Sequence, residues 1–541
     1  MLFRSSALPK PARRPQIISA CAPGLYTDRA LSHSSEAHPG RTLIKARLIR
    51  FLFALHRWMG ATLGLLMLLW CITGVVMIWN PYPATTLGDR DYRVEGLAPI
   101  ISPDRIALPA IPDAATLSYA RIEMLAGRPV MSVEWSTGAE RASGLYDLAT
   151  AAKIDQISEA DALGVARTYL QRHKLAGQPT LTKLMERDEF VVAGYFNNSR
   201  PFYEVPLNDP EQTVLYISSK TGEVSQRTTA SLRVWSWLGA IPHWLYFTEL
   251  RRNTPLWQQV IIWTSLAGCF LTMLGVFVGL RQFRRRHSTG KFASPYRGAK
   301  FWHHMIGLVF GVLVLTFSFS GFTSMQPWGW LESGPAAGEA ADRYAGKPIT
   351  WAEARPAFEA QAIALRTVSR ERSLVTFTQI EGRPWFIWQS ADGSRRRIDA
   401  NGQPAPFDDA ARQRAADLLA SDKGPPRFVL MTSADEYYYP GASSSGLPVV
   451  RVESSDDTRF YLDPDTGSLR FIADDGAKGF RIWHMALHTF DFLTSPLREI
   501  LLVLAMLGVT AVCGLGAWMG VKKLARGGKL DNIPKDEKPA A

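Results

Sequence analysis

The chain has 541 residues, 61 basic and 49 acidic side chains and a formal charge of +12, a length that suits three or four domains. With 47% hydrophobic and 20% charged residues it is neither wholly disordered nor collagen-like. A mean hydropathy near zero excludes a chain lying entirely inside a bilayer. The four cysteines, Cys21, Cys71, Cys269 and Cys513, form no Cys-x-x-Cys pair, and three of them sit in long apolar runs. That pattern excludes a disulfide framework and a Cys-rich zinc or iron–sulfur site.

In chain order, residues 1–44 read as a disordered cytoplasmic tail. Ile18-Ser19-Ala20-Cys21 superficially fits a lipoprotein cleavage box, but Arg4, Lys10, Arg13 and Arg14 replace the apolar core such a signal needs. Apolar runs at 51–79, 256–280, 304–326 and 499–520 are each long enough to cross a bilayer, which takes about 20 residues. They divide the chain into span 1 (45–80), an outer domain (81–240) and an interfacial segment with span 2 (241–281). A loop (282–300), span 3 (301–327), a second outer domain (328–480), a further interfacial segment with span 4 (481–521) and a tail (522–541) follow.

The basic excess lies in three short segments, 1–57, 281–300 and 521–541, which hold 23 Lys/Arg against 5 Asp/Glu; everything else sums to −6. Each segment abuts an apolar run, so the pattern is that of positive-inside topology rather than of a nucleic-acid-binding face. An even number of spans then puts both termini and the middle loop in the cytoplasm and both outer domains outside the membrane. The expected fold class is a four-helix transmembrane bundle, N-in and C-in, carrying two α+β outer domains.

The two halves align with each other. His56, Gly60, Gly64 and Gly74 stand 247 residues before His303, Gly307, Gly311 and Gly321, and His243 and Phe247 stand 245 before His488 and Phe492. The stretch TVLYISSKTGEV at 213–224 corresponds to TRFYLDPDTGSL at 458–469. The chain therefore reads as an internal duplication in parallel repeats. In the first outer domain a helix is expected over 158–173 with Ser158 as N-cap, then strands EFVVAGYF, FYEVPLN and TVLYIS and a Thr221-Gly222 turn. In the second, strands LVTFTQIEG, PWFIWQS, LPVVRVES and TRFYLDP surround a helix over 408–421.

Of the ten histidines, His33, His38, His173 and His287 read as surface groups, whereas His56, His243, His303, His304, His484 and His488 cluster at membrane boundaries. Ionisable groups at such depth point to function, and interfacial anchoring is the competing explanation. Two histidines on different helices at one depth suit bis-histidine ligation of b-type heme, and neither level offers the extra ligands a zinc site needs. His56 with His303, and His243 with His488, are the expected ligand pairs. His304 and His484 are the alternates.

The helix-then-strands pattern ending in a Tyr-to-Thr-Gly stretch resembles the PepSY domain. LHRWMGATLG, WHHMIGLVFG and IPHWLYFTELR resemble the membrane segments of PepSY-associated transmembrane, or iron-regulated membrane, proteins, over about residues 45–525. That family includes di-heme ferric-siderophore (ferrioxamine) reductases. The resemblance implies a bacterial inner-membrane protein with periplasmic domains and two hemes b. It would reduce a ferric siderophore or another periplasmic acceptor with electrons from quinol or a partner flavoprotein. No GxGxxG unit supports a self-contained nicotinamide-driven enzyme. A cofactor-free PepSY-containing membrane protein with a binding or regulatory role is the alternative. A transporter is a weaker reading, because beyond Glu499, the first residue of the run 499–520, no Asp or Glu falls within the four apolar runs. Tyr437, Tyr438, Tyr439, Pro440, Trp235, Trp237 and Trp244 are candidate walls of an acceptor pocket.

Overall fold

The computed structural model describes residues 39–85, 97, 106–285, 292–365, 372–390, 392–420, 427–438 and 446–525. The tail to residue 38 with Cys21, His33 and His38, the loop 286–291 with His287, the C-terminal residues from 526, and Tyr439-Pro440 lie outside the described residues.

Among the described residues four helices are long and apolar enough to cross a membrane: Arg47–Met77 within the helix Pro39–Met77, then Thr254–Gln282, Ala299–Thr323 and Leu497–Ala525. Span 1 stops ahead of Pro81, which has no N–H to continue the ladder. Span 2 starts on Asn253, whose side chain accepts from the Leu256 N–H at 3.1 Å, with Pro255 in the first turn. Spans 1 and 4 approach very closely: a side-chain carbon at Gly520 would lie 2.8 Å from Ala61 Cα, and one at Gly64 3.4 Å from Ala517 Cα. Small residues permit that contact, which in lipid depends on packing rather than on the hydrophobic effect.

The strands between spans 1 and 2 are β1 (Thr116–Leu125), β2 (Arg128–Thr137), β3 (Glu140–Asp147), β4 (Lys153–Ile154), β5 (Lys183–Met185), β6 (Phe202–Pro206), β7 (Val214–Ser218) and β8 (Val224–Thr228). A two-strand ribbon, β9 (Arg284–Arg285) and β10 (Phe292–Ala293), lies between spans 2 and 3. Between spans 3 and 4 come β11 (Arg372–Ile380), β12 (Arg383–Ser390), β13 (Arg395–Ile398), β14 (Arg427–Met431), β15 (Val449–Glu453), β16 (Arg459–Leu462) and β17 (Leu469–Ala473). Two four-stranded antiparallel sheets, β5 to β8 and β14 to β17, each pack on a helix, Glu159–His173 and Asp409–Leu419 respectively. Ser158 and Asp161 form the capping box of the first helix, and Asp408 caps the second.

The outer segments, expected as two separate domains, share a sheet. A seven-stranded sheet runs β13-β12-β11-β1-β2-β3-β4, joined by antiparallel pairing of β1 with β11. An unpaired edge strand from each segment is completed by the other. Trp351 and Phe358, on the helix Trp351–Ala364, fill the core beneath it.

One expected strand is absent. Residues 189–196 (EFVVAGYF) form turns and a 3-10 helix, Gly194–Ser199. The Asp188 carboxylate takes the N–H groups of Phe190 and Val191 at 2.8 and 3.1 Å, and the Arg200 guanidinium takes the carbonyls of Val191 and Ala193. Side chains satisfy this backbone, so it is buried without a ladder.

Candidate functional site

The first histidine pair comes from spans 1 and 3. The His56 and His303 ring centres are 6.3 Å apart, with planes inclined by 38°. His303 Nδ1 lies 3.1 Å from the Val512 carbonyl oxygen in span 4. A carbonyl only accepts, so Nδ1 carries the proton and Nε2 keeps its lone pair. His56 Nδ1 is buried without a hydrogen-bond partner. Glycines face both rings: a side-chain carbon at Gly275 would stand 2.7 Å from His56 Cε1, and one at Gly516 3.2 Å from His303 Cε1. Both helices are thus cut back where the imidazoles sit.

The second pair lies on short helices outside the spans. His243 belongs to Ala240–Trp244, ended by Leu245 in the left-handed region (φ 52°), and His488 to Leu487–Thr489, ended by Phe490 at φ 51°. A one-turn helix stopped two residues after its histidine therefore aims each ring, and the ring centres are 6.0 Å apart. His243 Nδ1 sits 3.1 Å from both the Trp70 carbonyl and the Thr73 hydroxyl. The Thr73 O–H donates to Leu69 at 2.7 Å, so its oxygen accepts from the ring. His488 Nδ1 is 2.8 Å from Ser320 Oγ, whose O–H donates to Phe317 at 3.1 Å. The Trp70 carbonyl only accepts, so His243 carries its proton on Nδ1 and leaves Nε2 as the free nitrogen. Ser320, with its O–H on Phe317, has lone pairs to play the same part for His488. The Trp70 indole N–H is shielded and without a hydrogen-bond partner.

Of the two alternates, His304 differs from these four in its nitrogens, whereas His484, like His303, engages Nδ1 with a carbonyl. His304 has both nitrogens occupied, Nδ1 by Ser294 Oγ at 2.7 Å and Nε2 by the Gly279 carbonyl at 2.8 Å. It ties spans 2 and 3 together with no lone pair to spare. His484 donates Nδ1–H to the Ser320 carbonyl at 2.8 Å, and its ring lies 5.5 Å from that of His488. It flanks the second pair on the π-helical turn Arg481–Ala486. His173 stacks on Tyr169 at 4.2 Å, far along the chain from both pairs.

The candidate pocket walls are dispersed. Tyr438 is buried and stacked on Tyr461 at 4.9 Å in a sheet core. Tyr437 lies under Arg459. Trp235 and Trp237 are exposed on the helix Ala230–Leu238, and Trp244 is about one-third exposed against Tyr82.

Each of the two pairs could hold a heme, which would supply a one-electron carrier. A metal–imidazole bond of about 2 Å, plus roughly an ångström to the ring centre, puts two such rings about 6 Å apart, centre to centre. Both pairs match this separation, and His303, His243 and His488 each engage Nδ1 in the manner typical of metal-bound histidines. Among the described residues no group of three or more His, Cys, Asp or Glu could hold a bare metal ion. Thr73, Ser320, Gly275, Gly516 and Trp70 were not among the expected site residues. Thr73 and Ser320 stand 247 apart and adjoin the aligned Gly74 and Gly321, which is the sequence signal for them.

Four helices of membrane-crossing length and composition among the described residues, together with the antiparallel sheets, fit a membrane protein with PepSY-like domains. Residues 53–523 match the model of the PepSY-associated TM region, and the chain belongs to that family. No curated protein matches it.

Proposed function

We propose that the chain is a di-heme b oxidoreductase of a bacterial inner membrane, passing electrons from the cytoplasmic side to a ferric siderophore held at its periplasmic domains. The observation that carries this reading is the pair of facing imidazole couples, with three of the four Nδ1 atoms engaged by carbonyls or hydroxyls. Two hemes bound there would supply one-electron carriers at two depths of the bilayer.

His56 and His303 would hold one heme and His243 and His488 the other. Val512, Trp70, Thr73 and Ser320 hold the Nδ1 protons, which fixes ring orientation and keeps Nε2 basic. Gly275 and Gly516 keep the space beside the first pair open. In the acceptor, reduction of ferric iron weakens its grip on hard oxygen ligands. Quinol and a partner flavoprotein are the two classes of donor. The charge bias supports N-in, C-in topology, with both sheet-bearing segments outside.

Internal duplication in parallel repeats supports the same reading. The turns Ala126-Gly127 and Glu381-Gly382 are 255 residues apart, and Arg121 pairs across the shared sheet with Thr376, also 255 away. Each half-chain thus contributes one histidine to each pair.

A visible spectrum of detergent-purified protein tests the reading. The expectation is a Soret band with dithionite-reducible b-type peaks and close to two hemes per chain. No heme under any reconstitution sinks it and leaves a cofactor-free binding or regulatory protein.

A further inference from the structure

The bundle holds another pair of reactive groups that ligation does not use. Cys71 in span 1 and Cys513 in span 4 are free and buried, with their sulfurs 3.8 Å apart. Met67, Leu271, Val314, Met506 and Val509 pack around them. Cys71 follows Trp70, whose carbonyl takes the His243 proton, and Cys513 follows Val512, whose carbonyl takes that of His303. The thiols therefore lie between the two histidine pairs.

The positions corresponding to them are Ser318, 247 after Cys71, and Thr272, 241 before Cys513, the latter by the offset that carries Pro255 and Gly279 to Pro496 and Gly520. These two meet around Gly268. The Thr272 O–H donates to the Gly268 carbonyl at 2.8 Å, and a side-chain carbon at Gly268 would lie 3.4 Å from Ser318 Oγ. One seam of the bundle thus uses two hydroxyls where the other uses two thiols. Packing asks for small side chains there and is met by Ser and Thr; it does not ask for sulfur at both members of one pair. Cys269, also buried, has no sulfur partner among the described residues.

We propose that Cys71 and Cys513 are an oxidisable dithiol that closes to a disulfide and ties span 1 to span 4. Two S–H bonds break and one S–S bond forms. The two electrons and two protons pass to a membrane-permeant two-electron acceptor of the azodicarboxamide or quinone class, which becomes the hydrazine or the quinol. A dry apolar site slows thiolate formation. Sulfurs already in contact offset that through a high effective concentration. The bond crosses a seam where the Ala61 and Gly520 backbones already touch. Heme takes no part, so this proposal and the di-heme reading fail separately.

The test uses the full chain with Cys21→Ser and a protease site inserted at 286–291, between spans 2 and 3. After diamide treatment and cleavage, the two halves are expected to migrate together on a non-reducing gel and to separate with reductant. Maleimide-reactive thiols, counted in denaturant, should fall by two. Cys71→Ser and Cys513→Ser should each abolish the link, and Cys269→Ser should leave it intact. Halves that separate after diamide with all three thiols still reactive would overturn the proposal, as would loss of the link in Cys269→Ser. The thiol count on the chain with wild-type spans needs none of the span variants to fold.

Discussion

At the scale of single residues, two hydroxyl groups set the chemistry of the second histidine pair. With the Ser320 hydrogen on the Phe317 carbonyl, oxygen lone pairs face His488 and suit a ring that presents Nδ1–H. Ser320→Ala removes that acceptor and is expected to weaken the second site about tenfold, the lower end for loss of a ligand-orienting partner. Hemin titration followed at the Soret band measures it, and Ser320→Thr should restore most of the affinity; equal weakening by both variants would deny the hydroxyl its role. His303 and His304 make a second comparison. His303→Ala is expected to halve the heme content, whereas His304→Ala keeps both hemes, because each His304 nitrogen already serves Ser294 or Gly279. Pyridine hemochrome assay of both variants decides, and the reverse order would exchange their assignments. The four paired histidines were legible because their spacing repeats. Thr73 and Ser320 repeat at the same offset but went unread, since a hydroxyl inside an apolar span looks like packing until its partner ring is seen.

At the scale of elements, the spans and the two capped helices follow from composition and local hydrogen-bonding chemistry, and the sequence displays both. Ser158 with Asp161 and Asp408 at the N-caps are recognisable before any tertiary contact forms. Residues 189–196 show where pattern fails. Their apolar run is buried against Phe202, Tyr216 and Ile241, but Asp188 and Arg200, at either end, take the backbone groups a ladder would use. Arg200 is 4% exposed and also donates to the Glu186 carbonyl at 3.1 Å. Arg200→Met strands three backbone carbonyls and the Asn197 side-chain oxygen, and hydrogen bonds to charged groups contribute about 1.5–3 kcal/mol each. Allowing for partial relaxation, a loss of roughly 3 kcal/mol is expected. At about 2–4 °C per kcal/mol, the extramembrane unfolding transition should fall by about 6–12 °C. Calorimetry in detergent reads this directly, and an unchanged transition would mean that the loop does not depend on Arg200.

At the scale of the whole molecule, the shared seven-stranded sheet is the feature least legible in the sequence. Edge pairing between β1 and β11 depends on where two distant segments are brought, and nothing local in either strand names its partner. Charge, by contrast, is legible at this scale and leads to a prediction about acceptor choice. The three basic segments hold the positive charge, and the remainder, including both sheet-bearing segments, sums to −6. With those segments outside as proposed, an acceptor approaches a mildly negative surface. Such a field speeds the encounter of a cationic ferric complex and slows that of a polyanion, and salt removes the difference as the screening length falls from about 30 Å at 0.01 M to about 3 Å at 1 M. A cationic hydroxamate complex is therefore expected to reoxidise the dithionite-reduced protein several-fold faster than a polyanionic catecholate complex at low ionic strength. Because the two complexes differ in reduction potential as well as in charge, the informative quantity is how each rate changes with salt. The cationic rate should fall and the anionic rate should rise as salt increases. Stopped-flow recording of the b-type band across that range supplies both slopes, and a cationic rate indifferent to salt would take charge out of the account of which acceptor this surface receives.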